Sequence, residues 1–326
     1  MPISGVLMQA NARPGRLAIV TTVIRWKDRC IPSLPSTRAW GSRSGRSQDA
    51  GTVSVHVVLL ACKTSIAGTS MKLGFIGTGA LTAAIVTGLN SVAASDISVL
   101  LSPRSKDIAA GLASRYPNVR VAADNQEVLD DCDTVMLAVR PQIAREVLRD
   151  LRFRRDHHVV SLIAIVSRED IAALTAPAEQ VTKALPMPMI AHGLGATIVY
   201  PPNPDTAAFF GKLGKVIEVE KPGEFDALSV ATATYASYFK YLDTIHTWLK
   251  DHGVAEAKAR DYIASLFKAL GNAPETLPDA DFTHLAQDYA TRGGINEQIL
   301  RELTERKVFE VFAESLDGVH RRILAS

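Results

Sequence analysis

Short apolar runs alternate with segments of helical periodicity over residues 71–222, and this alternation predicts a sheet with helices on both faces. The run TVMLAV at 134–139 is apolar throughout, as expected for a strand buried on both sides in a parallel sheet. A doubly wound α/β sheet of about eight strands follows. Strands are predicted at 72–76, 97–101, 119–121, 134–139, 158–165, 181–185, 196–200 and 216–219, with helices between them at 80–89, 106–116, 125–131, 142–151 and 206–213.

The pattern changes after Pro222 and Gly223. From there to the end, helical periodicity replaces strand-like runs, so the break predicts a domain boundary between an α/β domain at 71–222 and an all-helical domain at 223–326. Helices of the second domain are predicted at 225–250, 255–270, 281–288, 295–305 and 308–324.

Residues 1–70 differ in character from the rest of the chain. Two apolar patches at 17–24 and 53–61 flank a stretch rich in Pro, Ser, Arg and Gly at 32–47. Neither patch reaches the roughly 18–20 residues that a membrane span needs. We predict a poorly ordered or mis-assigned N-terminal extension, with a signal or transit peptide as the alternative.

Charge is distributed unevenly along the chain. Residues 1–70 contain nine Lys and Arg against two Asp, a net charge of +7, whereas the remainder has 27 basic and 32 acidic residues and carries −5. The folded part therefore has no basic excess that would indicate a nucleic-acid partner. Three cysteines form no disulfide framework, which favours a reducing compartment and hence the cytoplasm.

A glycine turn separates the first predicted strand from its helix. Gly77 permits a tight turn, and Gly79 allows backbone N–H groups to approach a pyrophosphate. Together with Thr78, Ala80 and Leu81, these glycines predict a dinucleotide site at the helix N-terminus, where the helix dipole favours negative charge. Thr82 occupies the third glycine position, and we expect slightly looser helix–strand packing there.

The end of the second strand indicates which dinucleotide binds. NAD-specific domains usually place an acid there for the ribose hydroxyls, but residues 101–106 contain none. Ser102 and Arg104 instead favour a 2′-phosphate, so NADP is predicted, with a solvated turn as the alternative. The residues that close the fourth strand should border the nicotinamide: Ala138, Val139, Arg140 and Pro141.

These motifs resemble the pyrroline-5-carboxylate reductase family over essentially all of 71–326. The resemblance rests on GFIGTGALTAAIVTGL (74–89), DTVMLAVRPQ (133–142), VVSLIAI (159–165), KALPMP (183–188), GATIVYP (195–201) and DYATRGGINEQIL (288–300). It implies a Rossmann domain followed by an all-helical domain through which subunits form homodimers or larger assemblies. It further implies NADPH-dependent reduction of a cyclic imine, most simply 1-pyrroline-5-carboxylate to proline in proline biosynthesis, and contact of Asn125 with the adenosine side.

The family motifs are altered mainly on the substrate side. The usual Asn-Met-Gly after the second glycine is Ala80-Leu-Thr here, and the Met-Pro-Asn-Thr-Pro segment is replaced at 185–189. The motif Ser-Gly-Ser-Gly-Pro-Ala-Tyr is replaced at 231–238, and Thr-Ser-Pro-Gly-Gly-Thr-Thr at 290–296. These departures indicate a relative with an altered substrate.

The segment before the predicted helix at 295–305 is the candidate substrate site. Backbone N–H groups of Gly293, Gly294 and Ile295 at a helix N-terminus are suited to a substrate carboxylate. By the resemblance, Thr291 and Asn296 take the hydroxyl positions that face the imine, and Asn296 can still hydrogen-bond its nitrogen. Alternatively, this segment only caps the helix, with Asn296 as the N-cap.

Two further functions remain open from the residues alone. A 3-hydroxyacid-dehydrogenase-like NADP oxidoreductase would need a catalytic lysine on the first long helix of the second domain, where Lys240 lies. A non-catalytic NADP-binding protein would have lost its substrate residues.

Asp243 and His246 share a helix face as a weaker acid–base candidate. His157 and His158 are predicted in an exposed loop, and no metal site is predicted.

Overall fold

The computed structural model describes residues 71–92, 97–277 and 281–325. The predictions for residues 1–70 lie outside these described residues. Within them, no helix is both long and apolar enough to cross a membrane.

One eight-stranded sheet organises the first part of the described chain, which confirms the predicted α/β fold. Its strands follow the order β3-β2-β1-β4-β5-β6-β7-β8. Strands are therefore added outward from β1 in one direction and then, from β4, in the other, so the boundary between β1 and β4 is the switch point at which such sheets form a crevice. The strands are β1 (Met71–Ile76), β2 (Ile97–Leu101), β3 (Val119–Val121), β4 (Thr134–Leu137), β5 (His158–Ser161), β6 (Gln180–Leu185), β7 (Ala196–Tyr200) and β8 (Lys215–Glu218).

The sheet departs from the predicted all-parallel arrangement at one point. β7 pairs antiparallel with β6, and β8 pairs parallel with β7, so these last two strands run against the other six. A parallel connection needs a crossover of about a dozen residues or more. Since only a short link containing one turn of 3-10 helix (Pro188–His192) joins β6 to β7, the chain returns in the opposite direction.

β4 and β5 are shorter than their apolar runs predicted. β4 ends at Leu137, and the N–H of Ala138 then bonds to the Ile76 carbonyl. β5 ends at Ser161, yet Leu162 and Ile163 stay buried. The apolar runs thus extend beyond the strand ladders because the following loop residues still pack into the core.

Helices cover both faces of the sheet. α1, α2 and α6 pack on one face around Leu73, Phe75 and Val99, and α3, α4 and α5 pack on the other around Val135 and Val159. These helices are α1 (Ala80–Ser91), α2 (Lys106–Arg115), α3 (Asn125–Asp131), α4 (Pro141–Leu148), α5 (Arg168–Leu174) and α6 (Pro204–Gly211).

From Pro222 onward the described chain is helical, as predicted. The single helix expected at 225–250 is two helices, because the chain turns at Ala233 and Thr234, where the Thr234 hydroxyl bonds back to the Ala231 carbonyl. The helices are α7 (Pro222–Thr232), α8 (Tyr235–Asp251), α9 (Glu256–Thr276), α10 (Phe282–Tyr289), α11 (Ile295–Glu305) and α12 (Val308–Leu324).

α7 joins the two parts of the fold. Its Phe225 is buried on the sheet with Leu185, Ile198 and Val219. By contrast, α8, α11 and α12 contain no buried residue in the described chain. Large apolar side chains on this helical part are exposed instead, for example Phe239, Phe282 and Ile295.

Candidate functional site

The glycine turn between β1 and α1 lies at the switch point of the sheet. Gly77 has φ +103°, a conformation that favours glycine, and a Cβ there would lie 2.5 Å from the Ala138 carbonyl oxygen. Thr82, in the third glycine position, is fully buried, and its hydroxyl donates to the Gly77 carbonyl at 2.7 Å. The turn is therefore held from both sides, by β4 and by the first turn of α1.

Ser102 holds the same turn from β2, which corrects its predicted role. The Gly77 N–H donates to the Ser102 hydroxyl at 2.9 Å, and the Thr78 hydroxyl donates to the Ser102 carbonyl at 2.7 Å. Ser102 is 1% exposed and Thr78 is 2% exposed. Because both side chains are buried in this internal contact, the Ser102 hydroxyl supports the turn and does not face the ribose.

The N-terminus of α1 has the character of an anion site. Gly79 is its N-cap, no side chain caps it, and its first turn has no acidic residue. A Cβ on Gly79 would meet no heavy atom of the described chain within 4 Å, so internal packing does not require a glycine there. Close approach of a phosphate to the amides of Gly79, Ala80 and Leu81 does provide a reason for it.

The adenosine end of the predicted site contains Arg104 and Asn125. Arg104 follows β2, is exposed, and forms no ion pair within the described residues. Asn125 opens α3 and is half-buried. Asp124 caps this helix by accepting from Glu127 N–H at 2.9 Å, which leaves the Asn125 side chain uninvolved in the cap. The free guanidinium and the acid-free strand end fit a 2′-phosphate.

The predicted nicotinamide end of the site is the connection between β4 and α4. Ala138 bonds through its N–H to the Ile76 carbonyl, next to the glycine turn. Arg140 is the N-cap of α4 and is exposed, and Pro141 is the first helical residue. With Val139 half-buried between them, these residues follow the carboxyl end of β4, and their contact with the nicotinamide stays a prediction.

The candidate substrate segment adopts a tight turn before α11. Gly293 has φ +75°, and its N–H donates to the Glu297 carboxylate at 2.6 Å. The Gly294 N–H donates to the Thr291 carbonyl at 2.8 Å. Both glycine amides are thus already bonded within the chain, which corrects the expectation that they are open to a carboxylate.

Capping of α11 also differs from the predicted alternative. The N-cap is Gly294, not Asn296, and no side chain caps it. The Asn296 amide donates to the Tyr289 carbonyl at 3.2 Å. Ile295 is 80% exposed, and Thr291 and Asn296 are also exposed. The described hydrogen bonds of this segment stay within α10, α11 and the turn between them and do not reach the glycine turn at Gly77 and Gly79.

The weaker candidates on α8 form an ion pair of their own. Lys240 donates to the Asp243 carboxylate at 2.7 Å, with both side chains largely exposed. This hydrogen bond lowers the pKa of Asp243, and the lysine charge adds to the effect. Asp243 is therefore bonded to Lys240 and not to His246.

Among the described residues, no cluster of three or more His, Cys, Asp and Glu could hold a metal ion.

The prediction of an exposed loop at His157 and His158 is wrong, since both are buried. His157 can be buried because both ring nitrogens have partners. Its Nδ1 accepts from Arg154 N–H at 3.0 Å, and its Nε2 lies 2.9 Å from the Leu129 carbonyl oxygen. Burial lowers the pKa of both imidazoles, which keeps them neutral.

Sequence reasoning missed Lys183, which is 4% exposed on β6. Its ammonium donates to the carbonyls of Val166 and Ala164, at 2.7 and 3.3 Å. The sequence did offer one indication of this residue, because a lysine stands there within the otherwise apolar end of a predicted strand.

Comparison with known proteins finds similarity to reductases. A family model described as NADP oxidoreductase, coenzyme F420-dependent, matches residues 72–165. A pyrroline-5-carboxylate reductase of Vibrio alginolyticus is 23% identical over 263 residues, which cover 77% of this chain and 96% of that protein.

Solved structures of the same kind share the fold. A 1-pyrroline-5-carboxylate reductase from Streptococcus pyogenes matches with a TM-score of 0.68 and 19% identity, covering 79% of this chain and 100% of that one. A Plasmodium falciparum pyrroline carboxylate reductase with NADP bound matches with a TM-score of 0.67 and 17% identity, covering 79% and 98%. The resemblance carried by the motifs is thereby confirmed, and this chain has the fold of the pyrroline-5-carboxylate reductases.

Proposed function

We propose that this protein is an NADPH-dependent reductase of cyclic imines, with 1-pyrroline-5-carboxylate, reduced to proline in proline biosynthesis, as the first substrate to test. The observation that carries the proposal is the glycine turn between β1 and α1, which a hydrogen bond from Gly77 to Ser102 holds in place. The helix that follows has no side-chain cap, and the end of β2 has no acidic residue. The named relatives supply the substrate class. A related imino acid is the natural alternative, because the substrate-side motifs depart from the family at 185–189, 231–238 and 290–296.

Under this proposal, different residues of the site bind different parts of NADPH. When bound, NADPH supplies a hydride to the imine carbon. The amides of Gly79, Ala80 and Leu81 hold the pyrophosphate, and Arg104 pairs with the 2′-phosphate. Asn125 contacts the adenosine side. Ala138, Val139, Arg140 and Pro141 border the nicotinamide and keep water from its face.

The substrate half is assigned to the turn before α11. With the amides of Gly293 and Gly294 bonded internally, the first-turn amides of Ile295, Asn296 and Glu297 are left in the described chain for a substrate carboxylate. The Thr291 hydroxyl and the Asn296 side chain then face the imine nitrogen, which must gain a proton as its carbon gains the hydride. Asn296 donates a hydrogen bond there but is a poorer proton carrier than a hydroxyl.

We further propose that the all-helical part, 223–326, is a dimerisation domain. In the described chain α8, α11 and α12 bury none of their residues, although they carry many apolar side chains. A second copy covering these faces would remove that apolar area from water. The proposed location is the cytoplasm, in keeping with the sparse cysteines.

A direct assay tests the function. Purified protein is mixed with NADPH and 1-pyrroline-5-carboxylate, and loss of NADPH absorbance is followed together with proline formation. Turnover is expected, and Asn296→Ala and Thr291→Val should lower kcat more than they raise the KM for NADPH.

Results that contradict this expectation would indicate one of the two alternative functions. Tight NADPH binding without turnover over a broad panel of cyclic imines would identify a non-catalytic NADP-binding protein. Lys240→Met should be nearly silent, since Lys240 is an exposed residue paired with Asp243. A loss of activity in that variant would instead favour a hydroxyacid dehydrogenase.

A further inference from the structure

Lys183 is a charged residue in the interior of the fold. It lies on β6 on the same sheet face as Val181 and Leu185 and is 4% exposed. Burial lowers the pKa of its ammonium, while the carboxylates of Asp226 and Glu169 act in the opposite direction. A buried ammonium is unfavourable unless hydrogen bonds and charges compensate it, so its partners indicate what it does.

The hydrogen bonds of Lys183 go to a single loop. Its Nζ donates to the Val166 carbonyl at 2.7 Å and to the Ala164 carbonyl at 3.3 Å, and lies 4.6 Å from the centre of the Phe225 ring. The loop at 162–166 connects β5 to α5. Lys183 therefore ties the second half of this loop to β6 and to α7.

The first half of the loop is held from a different direction. The Leu162 N–H donates to the Leu137 carbonyl of β4, and the Ile163 N–H donates to the Ser161 hydroxyl. Among the contacts of the described residues, β4 and β5 hold the start of the loop and Lys183 holds its end.

The loop borders the start of α4. Ile165 lines the Lys183 cavity together with Tyr200 and Phe225. The same isoleucine lines a neighbouring groove with Pro141 and Gln142, the first residues of α4. A displacement of residues 164–166 would therefore change the position of the turn at 138–141, which is proposed to border the nicotinamide.

We infer that Lys183 is a positioning residue for the reductase site, holding loop 162–166 against the Pro141 turn so that the nicotinamide side of the crevice has one defined shape. This rests on the proposed function. Hydride transfer requires reacting atoms about 3–3.5 Å apart, and a misplacement of about 1 Å costs on the order of 100-fold in rate. A flexible ammonium with three donors can reach both carbonyls, whereas an apolar side chain of similar length would leave them unpaired.

Lys183→Met tests the role, with Arg168→Met as the matched control. Arg168 lines the same cavity, but its guanidinium donates to the Val181 carbonyl of β6 and not to the loop. Both variants remove one cation from one cavity. Three quantities are measured for each: amide hydrogen exchange of residues 162–167, steady-state constants, and the deuterium isotope effect with NADPH labelled at the transferred position.

Lys183→Met should speed amide exchange across 162–167 and lower kcat on the order of 10-fold, with the KM for NADPH changed about twofold at most. If product release limits turnover of the wild type, the isotope effect should also rise in Lys183→Met, because hydride transfer becomes the slower step. Lys183→Arg should restore slow exchange and the wild-type isotope effect. Arg168→Met should leave both quantities unchanged.

Wild-type loop exchange in Lys183→Met would overturn the inference, as would faster exchange with an unchanged kcat and isotope effect. Equal changes in Arg168→Met would show a general loss of stability and would also overturn it. If the methionine variant does not fold, Lys183→Gln, with a shorter neutral donor, replaces it with the same expected results. Absence of turnover in the wild type would refute the proposed function, and the exchange data would still decide whether Lys183 holds the loop.

Discussion

At the scale of single residues, the hydroxyl of Ser102 links β2 to the turn that follows β1. Because it accepts the Gly77 N–H, that amide is not available to a cofactor phosphate. The amides proposed to bind the cofactor phosphate are therefore those of Gly79 and the first turn of α1. Selection for a 2′-phosphate then depends on Arg104, whose exposed guanidinium follows the strand end.

Arg104→Ala should weaken NADPH binding by about 1.5–3 kcal/mol, the range for hydrogen bonds to charged groups, and leave NADH binding little changed. Fluorescence titration with the two dinucleotides measures this difference. Arg115→Ala, at the opposite end of α2 and against Tyr116, is the control and should affect neither. Equal losses for NADPH and NADH in Arg104→Ala would contradict the 2′-phosphate role.

His157 makes stability depend on pH. Its Nδ1 accepts from the Arg154 N–H, so the ring proton lies on Nε2 and faces the Leu129 carbonyl. Burial, and then the Arg154 charge, lower the pKa of His157 below its value in the unfolded chain. The unfolded state therefore binds the proton more readily, and the stabilisation present above about pH 6.5 is lost as the pH falls toward and below the folded-state pKa.

Urea unfolding at about pH 7.5 and about pH 5.5 measures this loss, with every pKa unit between the two states worth about 1.4 kcal/mol. His157→Gln should be less stable at the higher pH and lose less stability on acidification. Replacing the exposed His192 by Gln should leave the wild-type pH dependence intact. His158, also buried with a lowered pKa, contributes in the same direction, so part of the dependence should survive in His157→Gln.

At the scale of elements, the unit β1–turn–α1 is fixed by backbone geometry. Gly77 combines a left-handed conformation with contact to the Ala138 carbonyl, so β1 and β4 approach closely at the switch point. Neither requirement depends on a cofactor. The turn is therefore formed by the protein itself and is preorganised for the phosphate.

Gly77→Ala should destabilise the protein by at least about 1–3 kcal/mol, the cost of strained backbone, and abolish NADPH binding. Gly111→Ala is the matched control, because it lies in α2 with no heavy atom of the described chain near a Cβ. Since alanine is the better helix former, that change should stabilise by about 0.5–1 kcal/mol. Thermal unfolding with and without NADPH distinguishes the two, and a neutral Gly77→Ala would contradict the geometry.

At the scale of the whole molecule, the helical part has two kinds of surface. On α12, Val308, Val311 and Phe312 lie on one side and are exposed, whereas Glu310 and Glu314 lie opposite. Exposed apolar side chains also occur on α8, α9 and α11, for example Trp248, Tyr262 and Ile299. Such a distribution is typical of helices that bury one face against another subunit.

Phe312→Glu should therefore convert a dimer into a monomer, because each dimer would have to bury an unpaired carboxylate on either side of the interface. Sedimentation velocity measures the change. Glu314→Lys alters charge on the opposite side of the same helix and should leave the dimer intact. A wild-type chain that is monomeric at micromolar concentration would refute the proposed dimerisation.

The sequence by itself determined the architecture and the type of cofactor site. Short continuous apolar runs and helical runs of period 3.6 are local patterns, so the eight strands and most helix bounds could be predicted. The turn at Gly77 and Gly79 and the missing acid after β2 are also local. They follow directly from which residues stand next to each other in the chain.

Tertiary structure alone decided where the polar side chains point. The bonds from Ser102 to Gly77, from His157 to Leu129 and from Lys183 to Val166 join residues 25, 28 and 17 positions apart. Spacing along the chain does not encode such contacts, and burial of a polar group depends on partners that only the packed fold supplies. The bonds of Gly293 to Glu297 and of Gly294 to Thr291 are local, yet they depend on the turn geometry, and they changed which amides of α11 are proposed to bind a substrate.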